Sequence, residues 1–269
     1  MAIADRDKQI ADAEALLADG KKEPGFATGF YFGQYRAARL APYPDFSADP
    51  EGDQMLDALR AFCRQSIDPA KIDRDAALPD QVIRGLGEIG VLGACLPRSS
   101  GGRGLTQTQY CRIIEVLGGH CGSTALFVNA HHSIGPRAIV LFGTPEQQQK
   151  WLPKLATGEW LSAFALTEAE AGSDAANVQT TATPTPDGSA YILRGEKRYI
   201  TNGAIAKVLT VMARTPVPGR SDSQITAFLV TPDMPGFEVI EARMPKLGVR
   251  GTVTSRLALR EVRVPRENI

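Results

Sequence analysis

The stretch GTPEQQQKWLPKLATGEWLSAFALTEAEAGSD, residues 143–174, decides the fold because the chain changes its period inside it. Its first half is punctuated as a helix: Gly143 stops the preceding helix, Thr144 is an N-cap, Pro145 sits at N1 and Gln147 at N3. After Glu159 the helical spacing gives way to short runs of alternating or β-branched residues. Upstream, residues 79–92 carry Val82, Ile83, Leu86, Ile89 and Val91 at helical spacing, residues 107–117 carry Tyr110, Ile113, Ile114 and Leu117, and residues 131–142 read as a third helix. Downstream, residues 178–183, 190–194, 197–201, 208–214, 225–230, 237–242 and 252–259 read as strands, separated by breaks at 184–188, 194–196, Asn202-Gly203, 216–223 and 232–236. Helices followed by strands without alternation predict an α+β protein, not a Rossmann sheet.

Composition narrows the functional classes. The sequence has 269 residues, 30 Lys+Arg against 30 Asp+Glu and 43% hydrophobic residues, enough to bury a full core. A formal net charge of +0 supplies no drive toward phosphate backbones or anionic lipid, so no nucleic acid or membrane surface is expected as a partner. Cys63, Cys95, Cys111 and Cys121 form no CxxC pair and signal no zinc or disulfide framework, which suits a reducing, cytoplasmic setting. The opening MAIADRDKQIADAEALLADGKK is rich in acids and lacks the apolar run of a secretory signal. No stretch approaches the ~18 apolar residues that a membrane span needs. The first 46 residues read as a polar helix followed by an aromatic, Pro-bearing extension, GFATGFYFGQYRAARLAPYP.

Two segments carry chemistry. Phe164-Ala165-Leu166-Thr167-Glu168 runs into Ala171-Gly172-Ser173-Asp174, a strand end turning into a Gly-Ser loop. Such a loop can offer backbone N–H groups and a hydroxyl to an anion at close range, because glycine lacks the Cβ that would block approach; by itself such a loop is more often an ordinary turn. Residues 195–203 read as a hairpin strand with Tyr199 and Thr201 at i and i+2, hence on one face. An aromatic plane beside a hydroxyl can border a flat heterocycle or form half of a sheet core. Other residues read more plainly. Glu168 and Asp174 suit capping of backbone N–H groups beside a Gly turn. His131 and His132, adjacent on a helix, point ~100° apart and cannot chelate one ion, so no metal site is expected. The run Ser99-Ser100-Gly101-Gly102-Arg103-Gly104 lacks GxGxxG spacing and reads as a helix connection. Trp151 and Trp160 read as core.

The two chemical segments, so spaced, together with Lys246-Leu247-Gly248-Val249-Arg250-Gly251-Thr252 and Val262-Arg263-Val264-Pro265-Arg266-Glu267-Asn268, resemble the acyl-CoA dehydrogenase family. The segment 25–44, the run 131–135 and the run 152–159 are most similar to its very-long-chain branch. The resemblance implies an N-terminal all-α domain, then a small barrel-like β-sheet domain, with the family's C-terminal four-helix domain absent from these 269 residues. Its bounds are an extension over 1–46, the helical domain over 47–160 and the β domain over 161–269.

The implied activity is FAD-dependent α,β-dehydrogenation of long-chain fatty acyl-CoA in β-oxidation, with electron-transfer flavoprotein as acceptor. No residue here is assigned as the catalytic base, so the chain alone is expected to be inactive. Cofactor contacts are implied for Phe164, Ala165, Leu166, Thr167, Gly172, Ser173, Tyr199, Ile200 and Thr201. Ser173 would meet the FAD pyrophosphate and border the acyl-CoA, Thr201 would sit at flavin N5, and Tyr199, in place of the family's usual tryptophan, would cover the ring. A homo-oligomer is implied once a C-terminal domain completes the fold. The rival expectations are a non-catalytic binding or assembly chain or gene fragment, and a flavin oxidase or monooxygenase on the same fold.

Overall fold

The computed structural model describes residues 26–42, 49–217, 219 and 223–269, so the polar helix expected at the start lies outside the described residues. The chain divides into two compact units, Met1–Asp49 and Pro50–Ile269. The first contains helix α1, Phe26–Tyr31, and a 3-10 turn at Ala37–Arg39. There the rings of Phe26, Phe30 and Tyr35 meet edge to face, with centroids 5.5 to 6.2 Å apart.

The second unit begins with seven helices: α2 (Pro50–Ser66), α3 (Pro69–Asp75), α4 (Asp80–Ile89), α5 (Gln107–His120), α6 (Gly122–Asn129), α7 (Gly135–Phe142) and α8 (Pro145–Thr157). The punctuation that marked α8 forms as a reciprocal capping box: the Gln147 amide donates to Thr144 Oγ1 at 3.2 Å, and the Thr144 amide donates to Gln147 Oε1 at 3.0 Å. The apolar stripes of α2, α4, α5 and α6 meet in one core built on Leu56, Leu59, Leu86, Ile113, Leu117 and Phe127.

Seven strands follow: β1 (Ser162–Ala165), β2 (Thr181–Pro184), β3 (Ala190–Thr201), β4 (Val208–Pro216), β5 (Ser223–Val230), β6 (Phe237–Glu241) and β7 (Thr254–Pro265). They form one sheet in the order β1-β4-β2-β3-β7-β6, with β5 on the other edge of β4. The expected break at 194–196 does not exist, and 190–201 is a single strand. Gly195, at φ +154°, is required by close approach: a Cβ there would lie 2.8 Å from Thr180 Cα. The strand expected from Val178 starts only at Thr181, after a 3-10 turn at Ala175–Asn177, and that expected to end at Leu259 runs on to Pro265.

The helices and the sheet meet along a seam of Ile139, Trp151, Leu152, Leu155, Val208 and Leu229. Trp151 is buried there as expected, whereas Trp160 is only half-buried and packs against it with ring centroids 5.8 Å apart. Between α6 and α7 the chain is not the plain helix expected from His131; it widens into a π turn, Ala130–Ile134, that carries His131 and His132 inward. His131 Nδ1 accepts the Ser162 amide at 3.2 Å and its Nε2 lies 3.0 Å from the Leu155 carbonyl, so the proton sits on Nε2 and the ring ties the end of α8 to the start of β1. His132 Nε2 accepts the Cys95 amide at 2.9 Å, its ring stacks on Tyr110 with centroids 4.3 Å apart, and its buried Nδ1 has no partner among the described residues.

Burial drives both imidazoles toward the neutral form, His131 down to about 4 and His132 to about 3. The unfolded chain takes up these protons near 6.5, so this stabilisation is complete above that pH and is lost as the pH falls toward 4. The loss for His131 alone should reach about 2 kcal/mol at pH 5. Urea unfolding at pH 7.5 and 5.0 measures it, and His131→Gln should flatten the dependence; an undiminished slope in that variant would assign the acid sensitivity to other groups.

Candidate functional site

β1 runs parallel to β4, Ser162 opposite Val208 and Ala165 opposite Val211, and the chain then leaves the sheet. Two consecutive residues of β3 catch it as it leaves. The Arg198 amide donates to the Thr167 carbonyl at 2.8 Å, and Lys197 Nζ donates to the Leu166 carbonyl at 3.1 Å. The next residue closes a tight turn, with the Glu168 amide donating to the Ala171 carbonyl at 2.8 Å, and this turn presents Gly172 and Ser173 at the surface.

Under the turn lies an ion pair that sequence reasoning missed. Lys197 Nζ stands 2.6 Å from Glu168 Oε1, with the two side chains 1% and 6% exposed. Lys197 also donates to the Met212 carbonyl at 2.7 Å, so its three protons meet three acceptors. A neutral amine would leave one acceptor empty, which fixes the charged form although burial pushes the Lys197 pKa down and Glu168 only partly opposes it. Burial likewise pushes the Glu168 carboxyl up, but hydrogen bonds from Lys197, Thr180 and the Gln179 amide outweigh that and hold it below its ordinary value. Glu168 thus caps backbone N–H groups as expected, taking the amides of Gln179 at 2.6 Å and Thr180 at 3.1 Å. Asp174 is exposed and its carboxylate caps none among the described residues.

The signal that could have revealed Lys197 is its place in β3. Leu193, Lys197 and Ile200 share the buried side, and a charge at an inward strand position demands a buried counter-charge. Between Lys197 and Ile200 the pairing with β7 slips by a bulge, in which Tyr199 takes φ +59°. Arg198 and Tyr199 consequently both face outward, the guanidinium lying 4.6 Å from the Tyr199 ring centroid. Tyr199 is 54% exposed, and Thr201, beyond the buried Ile200, is half-buried.

Of the nine residues singled out, Phe164, Leu166, Thr167 and Thr201 are half-buried, and Gly172, Ser173 and Tyr199 are exposed. Ala165 and Ile200 point into the β core, so only their main chain can serve a ligand. Among the described residues, the Leu166 and Thr167 amides and the hydroxyls of Thr167, Ser173 and Thr201 make no hydrogen bond. A Cβ built on Gly172 meets nothing within 4 Å, so the loop is open to close approach. The result is a rigidly backed edge of unclaimed donors beside an aromatic ring, suited to the carbonyl and nitrogen edge of a heterocycle or to an oxyanion. A cavity of about 840 Å³ lies apart from this edge, among Arg84, Arg98, Arg103 and Gly158 of the helical half.

Two family descriptions match the chain: "Acyl-CoA dehydrogenase, N-terminal domain" over residues 49–159 and "Acyl-CoA dehydrogenase, middle domain" over residues 163–262. The mitochondrial very long-chain specific acyl-CoA dehydrogenase of Macaca fascicularis is 37% identical across all of this chain, which spans 42% of that relative's length. Among solved structures, butyryl-CoA dehydrogenase from Megasphaera elsdenii superimposes with a TM-score of 0.76 at 32% identity, over 84% of this chain and 59% of the other. An acyl-CoA dehydrogenase from Bacillus anthracis, determined in complex with FAD, gives 0.72 at 35% identity over 84% and 38% of the two chains.

Removing one partner of the buried pair strands the other charge. Lys197→Met should lower stability by about 3 to 5 kcal/mol, and Lys197→Met combined with Glu168→Gln should lower it by less than the single change. Urea titration of the two variants decides the matter: a double variant no more stable than Lys197→Met would mean that the carboxylate does not depend on its lysine.

Proposed function

Because this chain belongs to the acyl-CoA dehydrogenase family, we propose that it forms the flavin-facing part of an FAD-dependent enzyme that dehydrogenates long-chain fatty acyl-CoA at the α,β bond, passing electrons to an electron-transfer flavoprotein. The observation that carries this reading is the set of unclaimed donors at Leu166, Thr167, Ser173 and Thr201 beside the exposed Tyr199 ring. These residues fit the cofactor: a flavin presents acceptor atoms along one edge and two flat faces, and its pyrophosphate needs donors reached without a Cβ in the way.

When bound, FAD supplies the acceptor for the hydride that leaves the β carbon. The Leu166 and Thr167 amides and the Thr167 hydroxyl donate to the pyrimidine edge, where they oppose the negative charge that develops on reduction. Gly172 and Ser173 hold the pyrophosphate, and Ser173 also borders the acyl-CoA. Tyr199 covers the ring, the Thr201 hydroxyl donates at N5, Phe164 lines the site, and Ala165 and Ile200 contribute through their main chain. None of these residues is assigned the removal of the α proton. The four free cysteines agree with a cytoplasmic, reducing setting, and a homo-oligomer is the assembly we expect.

Thr201→Val removes a hydroxyl and nearly preserves shape, so it should shift the bound flavin spectrum and slow reduction, whereas Ser173→Ala should chiefly weaken FAD retention. Each effect should amount to about 1 to 3 kcal/mol. Thr183→Val, at an exposed position of β2, is the control. With the chain joined to a C-terminal four-helix domain of the family, flavin absorbance titrations and stopped-flow reduction by palmitoyl-CoA would refute the assignments if all three variants behaved alike.

A further inference from the structure

We propose that Lys197 is a positioning residue for the cofactor edge: its buried ammonium polarises the Leu166–Thr167 peptide and thereby strengthens the Thr167 amide as a donor. The inference rests on the flavin reading and adds to it a source for the donors' strength.

Lys197 Nζ lies 3.1 Å from the Leu166 carbonyl, and the nitrogen of that same peptide is the unclaimed Thr167 amide. A cation on a peptide oxygen draws electron density through the amide and makes its N–H more acidic, and at 1% exposure neither water nor salt screens it. The other two protons of Lys197 go to Glu168 and to the Met212 carbonyl of β4, so the ammonium cannot swing away without breaking both. The following peptide is held by the Arg198 amide on the Thr167 carbonyl. Adjacent residues of β3 thus fix the peptide planes on either side of Thr167. Glu168 opposes the polarisation as counter-charge while keeping Lys197 soluble in the core.

This arrangement makes a prediction of sign that a merely structural strut does not. Glu168→Gln keeps the cation and its hydrogen-bonding shape but deletes the opposing charge. It should raise the affinity for reduced over oxidised FAD by a few-fold. Lys197→Met with Glu168→Gln deletes both charges and should lower that ratio about tenfold, or about 30 mV in the midpoint of a two-electron couple. Lys197→Arg, which keeps a cation, should stay close to wild type.

The measurement is the FAD dissociation constant and the equilibrium midpoint potential of the bound flavin in the naturally occurring chain, with circular dichroism to verify that each variant is folded. Glu168→Gln moving the potential downward, or a folded double variant at the wild-type potential, overturns the inference while leaving FAD binding, and hence the flavin reading, intact. A wild-type chain that takes up no FAD overturns both.

Discussion

The ammonium of Lys197 is shut away from water, and everything around the candidate site is arranged to satisfy it. Taking an ammonium and a carboxylate out of water costs several kcal/mol for each ion, a penalty offset only where every proton and lone pair finds a partner. Here the ammonium meets Glu168, the Leu166 carbonyl and the Met212 carbonyl, while the carboxylate also takes the Gln179 and Thr180 amides and the Thr180 hydroxyl. Four stretches of chain are thereby pinned at one point: the exit of β1, the approach to β2, the middle of β3 and the middle of β4. The unclaimed donors at Leu166 and Thr167 inherit their rigidity from this buried charge pair, which links the chemistry of the candidate site to the electrostatics of the core.

A second set of buried polar groups performs the corresponding task at the seam. Helix α8 stops at Gly158, whose φ of +77° turns the chain, and β1 starts a few residues later. The Leu155 carbonyl at the helix end and the Ser162 amide at the strand start are both claimed by the His131 ring. An apolar side chain at 131 would leave the Ser162 amide unpaired in a dry interior and the Leu155 carbonyl with the Gly158 amide alone. Around this polar tie Ile139, Trp151 and Leu155 pack in one apolar cluster with Val208 and Leu229, so the tie specifies register and the apolar residues supply most of the adhesion.

What could be read from the residues alone were the features whose physics is local. The Thr144 cap box closes between residues three apart, and the change from helical to alternating spacing at Glu159 reflects the different periods of helix and strand. The sequence by itself therefore determined the order of helices before strands. Tertiary structure alone decided the rest. Gly195 reads as a turn until Thr180 is seen pressing against it, and the π turn at 130–134 is intelligible only once Leu155 and Ser162 are there to receive His131. In the sequence Lys197 is only one residue of a strand, and its counter-charge appears when Glu168 is folded beneath it. Each of these depends on a partner distant in the chain, and the free energy of burying or pairing such a group is undefined until the fold brings that partner within hydrogen-bonding or van der Waals distance.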